Sequence, residues 1–498
     1  MNKKIVVNVL GKILIVTSIL MLLPFFTALY YHEPIQNILA FAIPILVLFS
    51  SGMFMTIRRV DSKIIGIKEG LFITASTWIV MSIVGAFPFV ISGEIPNYIN
   101  ALFEIASGFT TTGASCLTAE QLDAMSHSML FWRSLSHWIG GMGILVFVMA
   151  LIPRNNENAM HILRAEAPGP SVSKLAAKMA KSSQILYIIY IFLTLLLIGL
   201  LMLCRDPNIG FFNAVCTAFG TAGTGGFTTT SAGIGAFGAA AQYIIAIFMI
   251  IFGINFSLFF LMLIGNFRAV LKNEEIRWYL ATLVIAVIIV TINVSSVYNN
   301  FEQSFRASLF QVASIISTTG FSTVDYANTW PTLSLMVIFV LMVVGSCAGS
   351  TAGGMKQSRI MLLAKRAIAS IAKIFNPRSV FVVKMDGKPV DNRLMNTITD
   401  FAIFYVVIVF ACAILTSIYN PGMAGMEFDP LTAITASISC ISNVGPGLGR
   451  VIGPAGNFSG YSAFSKIVFV LEMIAGRLEL IPIMILFNPA TYKRKNSF

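Results

Sequence analysis

Apolar stretches recur along the chain at the length that a membrane-spanning helix needs. About 20 apolar residues, at 1.5 Å per residue, cover the roughly 30 Å hydrocarbon core of a bilayer. The pattern predicts ten spans, near residues 6–30, 35–57, 71–91, 130–152, 184–204, 241–267, 278–298, 332–363, 398–419 and 464–487. The first follows a basic start as a signal peptide would, but its apolar run is too long, so we interpret it as a retained span.

Four shorter segments lie between pairs of these spans, at residues 98–116, 211–230, 305–323 and 429–449. They are rich in Gly, Ser and Thr and too short to cross a membrane. Each carries a small residue six positions before a final glycine: Ser107-Gly-Phe-Thr-Thr-Thr-Gly113, Gly220-Thr-Ala-Gly-Thr-Gly-Gly226, Ser314-Ile-Ile-Ser-Thr-Thr-Gly320 and Ser439-Cys-Ile-Ser-Asn-Val-Gly445. The repetition predicts four copies of span, re-entrant short helix, glycine-containing loop and span.

The predicted fold is therefore an all-α polytopic membrane protein with four pseudo-symmetric repeats and two extra N-terminal spans. The extra spans occupy residues 1–60, and the repeats occupy 61–165, 166–272, 273–375 and 396–498. A cytoplasmic segment at 376–395 separates the last two repeats. Its Asp386-Gly387 pair predicts a β-hairpin turn.

Composition excludes the other broad classes of protein. Hydrophobic residues make up 57% of the chain and charged residues 11%, whereas a soluble domain has about 25% charged residues. Disorder would need low hydrophobicity. The sequence also has no GxxxxGK[ST] or HExxH motif and no GxGxxG after a strand, so we expect neither an enzyme nor a nucleotide-binding chain. The six scattered cysteines favour buried thiols over disulfides.

The distribution of positive charge predicts the orientation in the membrane. Cytoplasmic loops collect Lys and Arg. With the N-terminus inside, the predicted inner segments hold all of the 33 basic residues except Arg133, Arg205, Arg306, Arg450, Lys466 and Arg477. Both termini are therefore expected in the cytoplasm, and the net charge of +12 reflects topology and not binding to nucleic acid.

The four glycine loops have two possible roles. Irregular backbone at membrane depth is tolerated where it is buried in protein or lines a watery cavity. Four such loops around one axis would form a ring of carbonyl groups that can coordinate a dehydrated cation. Alternatively, small residues only let spanning helices pack closely. Four matched loops favour the ring.

These motifs resemble the filter segments of the Trk/Ktr/HKT superfamily of potassium transporters. The two extra spans and Phe131-Trp-Arg-Ser-Leu-Ser-His-Trp-Ile-Gly-Gly-Met-Gly143 are similar to its bacterial TrkH branch. The resemblance implies potassium as the transported ion and a pseudo-fourfold filter in which Gly113, Gly226, Gly320 and Gly445 take the glycine positions. It also implies coordinating carbonyls from Thr111, Thr112, Thr224, Gly225, Thr318, Thr319, Asn443 and Val444.

The eighth span is interrupted by Gly345-Ser-Cys-Ala-Gly-Ser-Thr-Ala-Gly-Gly-Met-Lys356. Each Gly in a helix costs about 1 kcal/mol relative to Ala, and the apolar run before this segment is too short to complete a crossing. The break therefore falls at membrane depth, although a cytoplasmic linker is the alternative. The resemblance implies an intramembrane gate containing Gly345, Gly349, Gly353, Gly354 and Lys356.

Arg477 lies within the tenth predicted span, where a charge is costly and needs a partner or water. It could pair with Glu472 or Glu479, and the resemblance also implies that it faces the ion path near the gate. Asp400, Glu104 and His137 are further polar residues in or beside spans. We interpret these three as packing or helix-end residues.

The resemblance finally implies a homodimer in a bacterial inner membrane, with one pore per subunit, and a cytosolic ring of nucleotide-binding RCK subunits as the regulatory partner. The segment 376–389 offers a surface for that ring. Two alternatives remain: a Na⁺- or H⁺-coupled secondary transporter, which predicts inverted halves and central carboxylates, and a membrane scaffold, which needs no matched loops. The sequence leaves channel-like flow and coupled uptake both open.

Overall fold

The structure, a computed structural model, describes residues 3–57, 67–143, 179–378, 381–418, 420 and 429–479. Within these ranges the regular structure is helical apart from one two-stranded hairpin, which confirms the all-α membrane class. Six of the described helical segments are long and apolar enough to cross a membrane alone: Lys3–Tyr30, Ile35–Ile57, Lys68–Ser92, Gln184–Leu203, Glu274–Val294 and Asn392–Ser417. The predicted spans at 130–152 and 464–487 continue beyond the described residues.

The N-terminal spans consist of helices Lys3–Leu20, Leu22–Tyr30 and Ile35–Ile57. Gly11 and Gly52 allow the first and third of these helices to cross closely. A Cβ atom on Gly11 would lie 2.9 Å from the carbonyl oxygen of Gly52, a separation that leaves no room for any other residue type. Small residues at a crossing are the usual means of bringing two membrane helices together.

The helices of the first two repeats alternate long and short elements. The first repeat contains Ile67–Gly85, Phe87–Ser92, Tyr98–Phe109, Ala119–Asp123 and His127–Gly141. The second contains Met179–Leu203, Phe211–Gly223, a 3-10 turn at Gly233–Ala236, and Ala239–Phe252, Phe256–Leu263 and Phe267–Lys272.

The last two repeats follow the same order. The third contains Glu274–Val294, Phe301–Ile316, Tyr326–Thr329, Thr332–Val344 and Gln357–Phe375. The fourth contains Asn392–Ser417, Pro430–Ser442 and Ala463–Arg477. In each repeat one short helix ends in a glycine loop, and we call Tyr98–Phe109, Phe211–Gly223, Phe301–Ile316 and Pro430–Ser442 the short helices 1 to 4.

The segment predicted as a continuous span at 241–267 is instead bent by 91° between two helices. The prediction missed the break because the backbone there bonds to a distant loop. The Cys347 amide donates to the Gly253 carbonyl oxygen at 3.2 Å, and the Phe256 amide donates to that of Gly349 at 3.0 Å. The Asn255 side chain then caps the helix that follows. Helix bonds lost at the break are thus replaced by bonds to the loop.

Between the third and fourth repeats, the strand Lys384–Met385 pairs with the antiparallel strand Lys388–Pro389. Asp386 and Gly387 form the turn, with φ values of 50° and 76°. Positive φ at both central residues defines a type I′ hairpin turn, which the Asp-Gly pair suits because Gly has no Cβ and Asp tolerates this region.

Candidate functional site

The four short helices end in the same local structure. Thr111, Thr224, Thr318 and Asn443, each two residues before the final glycine, have φ between 54° and 57°. The next amide bonds back to the carbonyl oxygen five residues earlier, for example Thr112 to Ser107 at 2.9 Å. The matching bonds in the other copies are Gly225 to Gly220, Thr319 to Ser314 and Val444 to Ser439, at 2.8 to 2.9 Å. This is a Schellman cap, in which a non-glycine residue holds the left-handed position in all four copies.

The small residue six positions before each glycine thus supplies the carbonyl that the cap needs. Two of these residues also fix the loop beyond it. The Ser314 hydroxyl donates to the Phe321 carbonyl at 2.6 Å, and the Ser439 hydroxyl donates to the Gly445 carbonyl at 2.6 Å. The spacing seen in the sequence therefore has a structural cause in all four copies.

The four loops, numbered 1 to 4 after the short helices that they follow, close into a ring. A Cβ atom on Gly113 would meet the Gly225 carbonyl oxygen, one on Gly226 would meet that of Thr319, and one on Gly320 would meet that of Val444, each closer than 3.0 Å. The cycle is completed by Gly445, whose Cβ would lie 2.7 Å from the Thr112 carbonyl oxygen. Each glycine thus packs against the carbonyl that precedes the glycine of the next loop.

The ring glycines could not be replaced without strain. Their φ values are 80°, 80°, 82° and 102° for Gly113, Gly226, Gly320 and Gly445, a region that favours glycine because it has no Cβ. The four short helices also direct their C-terminal ends at the ring, where the partial negative charge of each helix end favours a cation. The ring therefore combines carbonyl oxygens with a negative electrostatic field.

Side chains behind the ring fill the space around the loops. The Thr110 and Thr112 hydroxyls are 2.8 Å apart, and Asn443 Nδ2 donates to Thr112 Oγ1 at 2.9 Å across the junction of loops 4 and 1. At loop 2, the buried His137 ring stacks on Phe227 with centroids 4.2 Å apart. His137 therefore packs behind loop 2, in agreement with its interpretation as a packing residue.

A cavity of about 300 Å³ lies against one side of the ring. All four ring glycines line it, together with the residues that follow them in the loops. Arg133 also lines the cavity, but its charge is paired with buried Glu104 at 2.7 Å. The same carboxylate accepts hydrogen bonds from the Ser115 hydroxyl and the Cys116 amide. The sequence does not predict this pair, because its two residues are 29 positions apart and leave no periodic signal.

The glycine-rich segment 345–356 lies against the other side of the ring, next to the residues that precede the glycines. Its Gly353 amide donates to Thr318 Oγ1 at 2.7 Å, and a Cβ on Gly353 would lie 2.9 Å from Asn443 Cβ. Helices Thr332–Val344 and Gln357–Phe375 flank the segment. We call residues 345–356 the buried loop, because Ser346, Thr351 and Lys356 in it are buried.

Backbone conformation in the buried loop is unusual. Gly345, Gly349, Gly354 and Lys356 have φ values of 67°, 76°, 73° and 74°. Lys356 is the one non-glycine residue of this set, and its ammonium group donates to the Ala352 carbonyl oxygen within the loop. A non-glycine residue held in such a conformation costs of order 1–3 kcal/mol and is found preferentially at functional sites.

Arg477 joins the buried loop to the ring and to the first repeat. Its guanidinium donates to the Thr351 carbonyl at 2.6 Å, to Thr111 Oγ1 at 3.2 Å, and to the carbonyls of Gly140 and Gly141 at 2.5 and 2.6 Å. Of its two predicted partners, Glu479 pairs with Arg359 and Glu472 accepts a bond from Ser437 at 2.5 Å. Arg477 therefore bridges three parts of the site.

The fold and this ring define a class of protein: polytopic membrane proteins in which four re-entrant loops of one chain surround a common axis. The chain belongs to the TrkH family of cation transport proteins, whose family model matches residues 35–495. This confirms the resemblance seen in the sequence.

Individual relatives match almost end to end. The chain is 31% identical to the Trk system potassium uptake protein TrkH of Salmonella typhimurium, over 99% of this chain and all of the relative. It is 30% identical to the Trk system potassium uptake protein TrkG of Escherichia coli, over 97% and 98% of the two chains. The crystal structure of the potassium transporter TrkH from Vibrio parahaemolyticus matches with a TM-score of 0.86 and 27% identity, over 99% of this chain and all of that one.

Proposed function

We propose that this protein takes up potassium ions across the inner membrane of a bacterium, and that the ring of four loops is its selectivity filter. The observation that carries the proposal is the closure of the ring, in which each glycine packs against a carbonyl of the next loop. Rings of backbone carbonyls replace the hydration shell of a potassium ion without any side-chain charge. The names of the relatives, potassium uptake proteins, agree with this function.

The coordinating groups are the carbonyls of the residues at the ends of the short helices. They are those of Thr111, Thr112, Gly113, Thr224, Gly225, Gly226, Thr318, Thr319, Gly320, Asn443, Val444 and Gly445. Because the Schellman caps fix the backbone at each of these ends, the oxygens are preorganised. The cavity of about 300 Å³ beside the ring serves as the outer entrance, where an ion arrives hydrated.

The buried loop acts as the gate on the inner side of the filter. Its glycines, Gly345, Gly349, Gly353 and Gly354, give it a backbone that can rearrange, while Lys356 and Arg477 place positive charge beside the path. Arg477 holds the loop closed through its bond to the Thr351 carbonyl. Release of that bond would let the loop leave the ring.

The placement in the membrane follows from the basic residues, with both termini in the cytoplasm. The assembly is a homodimer with one pore per subunit, surrounded by membrane lipid. An RCK-type ring docks from the cytosol on the face that carries the hairpin. In this arrangement the RCK-type ring regulates ion flow through the pore by acting on the buried loop.

Ion flux into proteoliposomes tests the function. Vesicles containing the purified protein should accumulate K⁺ down its gradient, Rb⁺ comparably, and Na⁺ more slowly. A second set with an imposed pH gradient separates channel-like flow from coupling to protons, since only a coupled transporter would concentrate K⁺ against its gradient. Equal passage of all three ions, or none beyond protein-free vesicles, would contradict the proposed filter.

A further inference from the structure

The helix Glu274–Val294 begins with two consecutive glutamates, whose carboxylates contact different parts of the protein. The buried one, Glu275, accepts a hydrogen bond from the Ala348 amide at 2.6 Å and another from the Ser358 amide at 3.2 Å. Both bonds reach the same oxygen. Since Ala348 lies near the start of the buried loop and Ser358 just after its end, one side chain ties together the two ends of that loop.

The preceding residue connects the same helix end to the cytoplasmic face. The Glu274 carboxylate pairs with Lys365 at 2.5 Å, and Lys365 also donates to the Lys384 carbonyl of the hairpin at 2.8 Å. The Glu274 amide donates to Asp386 Oδ1 at 2.8 Å. The turn of the hairpin is thus bonded to the first residue of the helix whose second residue holds the buried loop.

We propose that Glu275 is a positioning residue for the buried loop, and that the first turn of this helix couples the position of the hairpin to that of the loop. The proposal rests on the gating function proposed above. Asp386 accepts a hydrogen bond from the backbone amide of Glu274 and a second, at 3.3 Å, from the side chain of the N-cap residue Asn273, so a shift of the hairpin displaces the helix end itself. The Glu275 carboxylate moves with it, because residues of one helical turn move together.

The coupling has a physical direction. The Ala348 and Ser358 amides donate to a charged carboxylate, and a hydrogen bond to a charged group is worth about 1.5–3 kcal/mol. Loss of the Glu275 contact leaves both amides to find another acceptor in a buried region. The loop then samples open arrangements more often, by about tenfold for each 1.4 kcal/mol. The hairpin in its present position therefore stabilises the closed loop.

Cys347 is buried and directly precedes Ala348, which makes it a natural probe of the loop. Its rate of alkylation by N-ethylmaleimide, followed by peptide mass spectrometry in detergent-solubilised full-length protein, reports how often the loop opens. The measurement does not depend on ion flux. Glu275→Gln keeps the size of the side chain but removes its charge and should raise the rate by about tenfold.

The coupling itself is tested from the hairpin. Asp386→Gly removes the carboxylate but keeps the positive φ that the turn requires, and it should raise the Cys347 rate severalfold. Lys388→Gln, in the same hairpin and exposed, is the matched control and should leave the rate unchanged. Both substitutions act along one route. Cys347 should therefore be alkylated no faster in the double variant Glu275→Gln/Asp386→Gly than in Glu275→Gln alone.

Each result decides between the possibilities. An unchanged rate in Glu275→Gln, or an unchanged rate in Asp386→Gly, would overturn the coupling, as would an additive double variant. If Glu275→Gln does not assemble, Asp386→Gly tests the proposal by itself, because Asp386 lies on the surface and its substitution should not disturb assembly. A raised Cys347 rate with unaltered K⁺ flux would support the coupling and refute the gate instead, so the two proposals fail separately.

Discussion

Replacing Gly113 by serine perturbs the ring at one defined contact. The new Cβ would approach the Gly225 carbonyl oxygen more closely than 3.0 Å, whereas ordinary contact lies between 3.4 and 4 Å. Loops 1 and 2 must therefore move apart. Holding a serine at a φ of 80° adds about 1–2 kcal/mol of backbone strain. This strain also favours a different conformation of loop 1.

The expected consequence is a loss of preference for K⁺. An interaction between a polar group and a charge contributes about 1.5–3 kcal/mol, and displacing one carbonyl would remove an interaction of this size. A loss of 1.4 kcal/mol corresponds to about tenfold. We expect Gly113→Ser to lower K⁺ flux relative to Na⁺ flux by about tenfold or more, since the smaller Na⁺ depends less on the full width of the ring.

The assay is the ratio of K⁺ to Na⁺ flux in proteoliposomes containing equal amounts of protein. Gly93→Ser is a matched control: Gly93 has a φ of 79°, but its Cβ would meet only Gln36, at 3.4 Å. This control shares the backbone strain without touching the ring. An unchanged ratio in a well-folded Gly113→Ser protein would refute the assignment of the ring as the filter.

Three further changes test the rest of the site. Arg477→Ala removes a positive charge and the bond to the Thr351 carbonyl, so K⁺ flux should rise severalfold in proteoliposomes. Shortening residues 346–353 should raise basal K⁺ flux without any regulatory partner, because less of the loop covers the ring. Glu104→Gln leaves Arg133 without its buried counter-charge, which costs about 3–5 kcal/mol and should lower the melting temperature in detergent.

Each of these changes has a control. Arg477→Lys keeps the charge but cannot make all four hydrogen bonds of the bridge, so native flux in this variant would show that the charge, and not the bridge, sets the barrier. A shortened loop with a native elution profile and unchanged flux would contradict the gate. Glu302→Gln breaks the exposed pair with Arg306, which is worth at most about 1 kcal/mol. Equal destabilisation by Glu302→Gln and Glu104→Gln would contradict the importance of burial.

The sequence was sufficient to predict the ring glycines because their requirement is local and repeated. Each needs a positive φ and a short helix before it, and both requirements are visible in a motif of seven residues, from the small residue to the glycine. The break at Gly253 was not predicted, since its cause is a set of bonds to the buried loop almost 100 positions further along the chain. The pairing of Glu104 with Arg133 and the clamp by Glu275 were missed for the same reason: a single long-range contact leaves no periodic pattern.

The junction between loops 4 and 1 has a consequence for biogenesis. Asn443 and Thr112, which bond across it, are 331 residues apart. At about 5–20 residues per second, the ribosome needs roughly 20–60 s to synthesise the chain between them. Throughout that interval loop 1 lies in the membrane without one of its neighbours, and exposed backbone polar groups are costly there. An unfinished chain therefore lacks a closed ring, and the proposed ion path is completed only when the last repeat has been inserted.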